Sequence, residues 1–290
     1  MNNVKVSVIV AISFADDKFK NAQRLNTKTA FKYGADKVIE YSPADIDKSF
    51  RDENKAIFDS ARGYGYWLWK PYFIDKTLQE VSEGDYVVYV DAGAAYVNNI
   101  KLLIDVMDRD HQDVMCFCID QVEKEWDKRD ALILMDADEE KILNSNQICG
   151  GYIVVKKSPF SVGLIKQYLY YAQDERIITD EPNVMGYENY MEFKDHRHDQ
   201  SIWSLLCKKN GVLPYRDPSQ FGIRQGTYPI PREVLDRSTF PQIVESHRRG
   251  DIRFFFQLEY AKRVDYCIAR FFYKVFGAIG KMIIVKGKRN

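Results

Sequence analysis

VKVSVIVAIS, residues Val4–Ser13, is a nearly continuous apolar, β-branched run. A strand of that composition is covered on both faces, as the strands of parallel sheets are. A helical pattern follows from about Asp17 to Tyr33, closed by Gly34 as a cap, and KVIEY (Lys37–Tyr41) reads as the next strand. Strand, helix and strand in about forty residues make a βαβ unit, which places ligands at the carboxyl edge of the strands. YVVYV (Tyr86–Val90) is a second buried strand and stops abruptly at Asp91-Ala92-Gly93. Helical patterns at Ile74–Val81, Ile100–Met107, Pro159–Gln173 and Gln200–Lys209, with strands at Val114–Ile119 and Tyr152–Lys156, continue the alternation. The pattern predicts an α/β domain over residues 1–250, a mostly parallel sheet flanked by helices, followed by a C-terminal helical tail over 251–290.

Composition narrows the function. The 290 residues carry 42 Lys and Arg against 42 Asp and Glu, a balance that argues against bulk binding of nucleic acid. Five cysteines, scattered and without metal-ligand spacing, suit a reducing compartment. The first residues, MNNVKVSVIV, enter a strand directly, without the pattern of a secretion signal, and no apolar run has the length of a membrane span. A cytoplasmic protein is expected. Phe14-Ala15-Asp16-Asp17 occupies the first βα turn, where a dinucleotide site would need glycines, and no P-loop or GxSxG elbow occurs. Any phosphate bound here is held by side chains or a metal.

Four clusters could carry chemistry. Asp91, at a strand end and followed by small residues, suits a ribose hydroxyl or a Mg²⁺ or Mn²⁺ ion, with Gly93 permitting close approach; a turn cap is the competing reading. RGYGYWLWKPY, residues Arg62–Tyr72, interleaves rings that stack on bases or sugars (Tyr66, Trp69) with cations for phosphate (Arg62, Lys70), or else it is a core loop feeding a helix. Asp195-His196-Arg197-His198-Asp199-Gln200 precedes an amphipathic helix; Asp199 would cap it, while His198 and Asp199 suit general-base chemistry or acceptor binding. Ser246-His247-Arg248-Arg249 offers His247 as a metal ligand beside Asp91 and an arginine for a diphosphate, against a solvated turn.

Taken together, these stretches resemble bacterial glycosyltransferases of the GT-A fold, of the type found in capsule and O-antigen gene clusters. The resemblance spans residues 4–250. It is carried by Ser13–Asp16, the GYGYWLWKP stretch, GDYVVYVDAG (Gly84–Gly93), Cys149–Tyr152, HDQS (His198–Ser201) and His247-Arg248. It implies a nucleotide-sugar donor, UDP-linked, and transfer of a hexose to a saccharide or lipid-linked acceptor in surface polysaccharide biosynthesis, lipopolysaccharide included. By the same resemblance, Phe14 and Asp16 fall at the base and Asp91 at the ribose and metal–diphosphate position. Gly150 and Gly151 fall near the donor sugar, Asp199 and Gln200 near the reacting centre, and His247 at a late metal ligand. The usual second carboxylate is replaced by Ala92-Gly93, so Arg62, Lys70 or Arg248 could supply the charge of a Mn²⁺ or Mg²⁺ ion. A nucleotidyltransferase and an inactive sugar-binding protein are the rival readings.

The tail adds a partner. Apolar residues from Leu258 to Ile283 recur at helical spacing, with Arg263, Arg270, Lys274 and Lys281 on another side. Residues 262–290 hold eight Lys or Arg and one acid, +7, which leaves −7 on the remaining chain. Such a helix suits an anionic membrane surface, and a peripheral position on the inner face of the cytoplasmic membrane is expected.

Overall fold

The computed structural model describes residues 7–222 and 226–250; the basic tail and the first residues of the opening apolar run lie outside them. Among the described residues the main sheet has seven strands. Its order begins with β2 (Lys37–Tyr41), β1 (Ile9–Phe14), β3 (Tyr86–Val90) and β7 (Tyr152–Lys156), and continues with β5 (Val114–Val122) and β6 (Asn146–Ile148), while β8 (Pro214–Arg216) also pairs with β5. A small second sheet joins β4 (Ala94–Tyr96) to β9 (Val244–Ser246), antiparallel.

Alternation along β1 shows why its sequence is apolar throughout. Val10, Ile12 and Phe14 enter one core, and Ile9 and Ala11 enter the other. The first core is closed by helices Trp69–Glu80, Pro159–Ala172 and Asp199–Lys209, the second by helices Lys20–Lys32 and Lys101–Arg109. With helices on both faces, no residue of β1 or β3 reaches solvent, and an apolar run without polar alternation is the result.

The expectation of a mostly parallel sheet needs correction. β1 runs parallel to β2 and β3, and β5 to β8, but β7 is antiparallel to both β3 and β5, and β6 to β5. The sheet is mixed. Burial on both faces follows from the flanking helices and says nothing about strand direction, so YIVVK in β7 looks like any parallel strand.

The helix expected after Pro71 begins two residues before it, at Trp69. Proline is tolerated there because first-turn N–H groups have no intrahelical partner. Helix Pro159–Ala172 starts as its sequence indicates, with Ser158 accepting from the Ser161 N–H and Pro159 in the first turn.

Two buried amides hold the edge of the sheet where ligands would enter. Gln23 Nε2 donates to the Ser13 and Tyr41 carbonyls at 3.2 and 2.8 Å, tying the ends of β1 and β2 together. Asn26 Nδ2 donates to the Ala94 carbonyl at 2.9 Å, fixing the chain just past β3. Gln23→Ala leaves two strand-end carbonyls without this buried donor and is expected to lower the unfolding free energy by about 1–3 kcal/mol in urea titration.

Candidate active site

A cleft of about 690 Å³ opens at the carboxyl ends of β1 and β3. Phe14, Asp16, Phe19, Tyr64, Trp67 and Trp69 line it, together with Asp91, Gly93, Gly151, Gln200, Asp217 and Arg248. Arg197 and Lys18 add further cations, and Asp120 a further carboxylate. Sequence positions from 14 to 248 therefore share one wall.

The centre of this arrangement is Lys70. Its side chain is 4% exposed, and its ammonium bonds Asp199 Oδ2 at 2.5 Å and the Gly150 carbonyl at 2.8 Å, with Asp91 Oδ1 at 3.8 Å. Burial pulls Lys70 toward neutrality, but the charges of Asp199 and Asp91 outweigh it and raise its pKa. Burial also pushes Asp199 up to about 6, against the pull of Lys70. Tyr168 donates to the same carboxylate at 3.2 Å. Asp199 is thus the first residue of its helix and, instead of capping it, spends its carboxylate on Lys70. It lies beneath the cleft wall; its neighbour Gln200 faces the cleft.

Asp91 does reach the cleft, with 46% of its side chain exposed, and its Oδ1 accepts the hydroxyl proton of fully buried Tyr89. Its backbone N–H bonds the Gly151 carbonyl at 3.0 Å, which ties the β3 end to the Gly150-Gly151 turn. Gly93 serves the chain itself. A Cβ there would sit 3.2 Å from the Arg248 Cα, and the Gly93 carbonyl accepts from the His247 and Arg248 N–H groups at 3.0 and 2.8 Å.

The aromatic stretch takes an unforeseen form. Gly63, Tyr64, Gly65, Tyr66 and Trp67 have five consecutive positive φ angles, 59°, 54°, 85°, 51° and 62°, forming a left-handed turn. Such backbone costs L-residues roughly 1–2 kcal/mol each. Side-chain bonds offset the cost: Trp69 Nε1 donates to the Gly63 carbonyl at 2.9 Å, and Arg51 Nη2 to the Tyr64 hydroxyl at 2.5 Å. A Cβ at Gly63 would fall 2.4 Å from the Trp67 ring. Both the turn and the ring packing need the glycine.

Several expected site residues are engaged in packing or ion pairs. Phe14 is buried, stacked on Trp69 with ring centroids 4.0 Å apart, so its ring is mainly core. Tyr66 packs on the His198 ring at 5.0 Å and does not line the cleft; Trp67 does, with His198 behind it. His198 is buried, its Nδ1–H donates to the Ile178 carbonyl at 2.8 Å, and burial lowers its pKa. It is a packed, neutral ring, held at φ 54° and ψ −118°. Arg62 turns away to Asp180 and Asp195, at 2.9 and 3.0 Å. The arginines on the wall are Arg197, stacked 3.9 Å over Trp126, and Arg248. Asp217, 6% exposed and raised in pKa by burial, is a cleft carboxylate that no motif announced.

Among the described residues no group of three or more His, Cys, Asp or Glu is placed to hold a metal ion, and His247 does not line the cleft. A carboxylate that could hold a Mg²⁺ or Mn²⁺ ion is the exposed Asp91, a hard oxygen ligand of the kind that works with phosphate oxygens of a bound substrate.

No known family's sequence model matches the chain, and no curated protein sequence matches it. Among solved structures it is similar to mouse xyloside xylosyltransferase 1 in its apo form, at 10% identity over 83% of this chain and 97% of that one, TM-score 0.43. It is also similar to the apo structure of the bifunctional glycosyltransferase WbbM, at 11% identity over 85% of this chain and 47% of that one, TM-score 0.45. A third is the galactosyltransferase LgtC in complex with donor and acceptor sugar analogues, at 14% identity over 82% and 86%, TM-score 0.43. The chain thus spans about half of WbbM and most of the other two.

Lys70→Met or Asp199→Asn alone strands one buried partner and is expected to cost about 3–5 kcal/mol, while the double variant costs less than the sum, read by urea unfolding as a double-mutant cycle. Because the folded pKa of Asp199 lies above its ordinary 3.8, its contribution to stability declines as pH rises from about 4 to 6; relative to the double variant, wild type should lose stability across that window. Gly63→Ala is expected to cost about 2–4 kcal/mol through the left-handed backbone and the collision with Trp67, read by thermal unfolding.

Proposed function

We propose that the protein is a glycosyltransferase that moves a hexose from a nucleotide-diphosphate sugar, UDP-linked, to a saccharide acceptor. The observation that supports this reading is the cleft at the ends of β1 and β3, where an aromatic wall, a strand-end carboxylate and two arginines converge. The rings of Tyr64 and Trp67 offer flat faces to a base, and Asp91 can accept from ribose hydroxyls. Arg248 and Arg197 can neutralise a diphosphate, which leaves as an anion when the glycosidic bond to it breaks. A Mn²⁺ or Mg²⁺ ion on Asp91 would supply added positive charge to that leaving group when bound. Gln200, beside the Gly150-Gly151 turn, presents its polar amide at the cleft wall, where the sugar end of such a donor would lie.

The acceptor is proposed to be a lipid-linked saccharide of surface polysaccharide synthesis, of the capsule or O-antigen kind, met at the inner face of the cytoplasmic membrane. The support for this is the basic amphipathic pattern of residues 258–290. Among the described residues no helix is long and apolar enough to cross a membrane. Flotation with anionic vesicles tests the membrane contact: deleting residues 258–290 should abolish it, and unchanged flotation would contradict it.

Donor binding is tested by thermal shift against a panel of nucleoside diphosphates and nucleotide sugars, with and without Mn²⁺. A ligand present at a hundredfold excess over Kd stabilises by about 2.7 kcal/mol, which should raise Tm by roughly 5–10 °C. UDP and a UDP-hexose are expected to give such shifts, reduced by Arg248→Ala, and the Mn²⁺ increment should vanish in Asp91→Asn. A flat response across the whole panel would sink the reading.

A further inference from the structure

Of helix Asp199–Lys209 only Gln200 lines the cleft, and its amide is gripped from both ends. Its Oε1 accepts the Gly150 N–H at 3.0 Å, and its Nε2 donates to Gln147 Oε1 at 2.7 Å. Gln147, fully buried on β6, passes the polarity on: its Nε2 donates to Asp127 Oδ1 at 2.9 Å. Asp127 is itself buried and its backbone N–H bonds the Glu123 carbonyl at 2.8 Å, while Asp127 Oδ2 and Glu123 Oε2 are both buried without a hydrogen-bond partner. The other Glu123 oxygen accepts from Ser204 and Lys208.

A chain of two amides is directional. At the cleft end a backbone N–H can only donate, so Gln200 must turn its carbonyl to Gly150. At the far end Asp127 Oδ1 must accept, so Gln147 must turn its amino group away from Gln200. Both ends demand the same orientation. Lys208 bonds the Glu123 carboxylate, and burial favours the protonated form of Asp127. Burial first, and then the charge of Glu123, push Asp127 well above the carboxylate range.

We propose that Gln147, anchored by the Asp127–Glu123 pair, is a positioning residue that locks the Gln200 amide with its carbonyl on the Gly150-Gly151 turn and its amino group turned to Gln147. The proposal rests on the glycosyl-transfer reading of the cleft, because orientation of Gln200 matters there only if a donor sugar reacts beside that turn. A protonated Asp127 has a close mimic. In Asp127→Asn the Oδ1 still accepts from Gln147 and the Nδ2 donates to Glu123, so the lock survives. Gln147→Leu and Asp127→Leu both break it.

The test is steady-state release of nucleoside diphosphate from a UDP-hexose by the full chain. Gln147→Leu is expected to lower kcat by at least about tenfold with KM for the donor little changed, because binding groups elsewhere in the cleft are untouched. Asp127→Asn should stay within about twofold of wild type and Asp127→Leu should behave like Gln147→Leu. An intact kcat in folded Gln147→Leu would overturn the proposal. So would a folded Asp127→Asn variant whose kcat falls about tenfold or more below wild type, and this isosteric comparison with wild type decides the matter even if a leucine variant does not fold. A wild-type protein that releases nothing from any nucleotide sugar would overturn the transfer reading itself, and the proposal with it.

Discussion

The Lys70 ammonium joins the Asp199 carboxylate, the Gly150 carbonyl and the neighbourhood of Asp91, and thereby connects two helices, a glycine turn and the end of β3. A buried charge of this kind is tolerated only while its partners stay in place, since an unpaired ammonium in the interior costs several kcal/mol. The constraint works in both directions. Asp199 would be forced toward protonation by its burial without Lys70, and Asp91 would lose the cation that stands behind the cleft floor. The pair shapes the wall on which ligands would rest while itself lying below it.

Strain is concentrated around the same point. The left-handed turn at 63–67 leads directly into Lys70, and His198, with positive φ, directly precedes Asp199. The two segments pack on each other through Tyr66, Trp67 and His198. Unfavourable backbone at both approaches to one ion pair indicates that the pair and the Trp67 wall are held by the surrounding packing, as strained backbone near functional sites generally is. The aromatic richness of the GYGYWLW stretch then divides its labour: Tyr64, Trp67 and Trp69 border the cleft, while Leu68 is core and Tyr66 braces the histidine.

What could be read from sequence was local. β2, β3 and β7 occupy the residues their β-branched composition indicates, and Asp91 and Gly93 are found at the cleft because a strand end in an α/β sheet is where ligands are met. What could not be read depends on contacts between distant segments. Asp217 enters through the pairing of β8 with β5, and Arg248 approaches Gly93 through the β4–β9 ladder, neither of which leaves a mark in a short window. Charge alone suggested that Arg62 would serve a phosphate, yet Asp180 and Asp195, more than a hundred residues away, claim it. The histidines of the HRHD stretch were equally deceptive: ionisable residues before a helix suggest general-base chemistry until the burial of both rings is seen.

The proposed reaction is cleavage, in this cleft, of the bond between a sugar and a nucleoside diphosphate. Phosphorus NMR of wild-type protein incubated with a panel of UDP-hexoses tests it most directly. The account predicts a growing nucleoside diphosphate signal with at least one donor and its loss in Asp91→Ala. A panel left intact by wild-type protein, with and without Mn²⁺ and a saccharide acceptor, would contradict it.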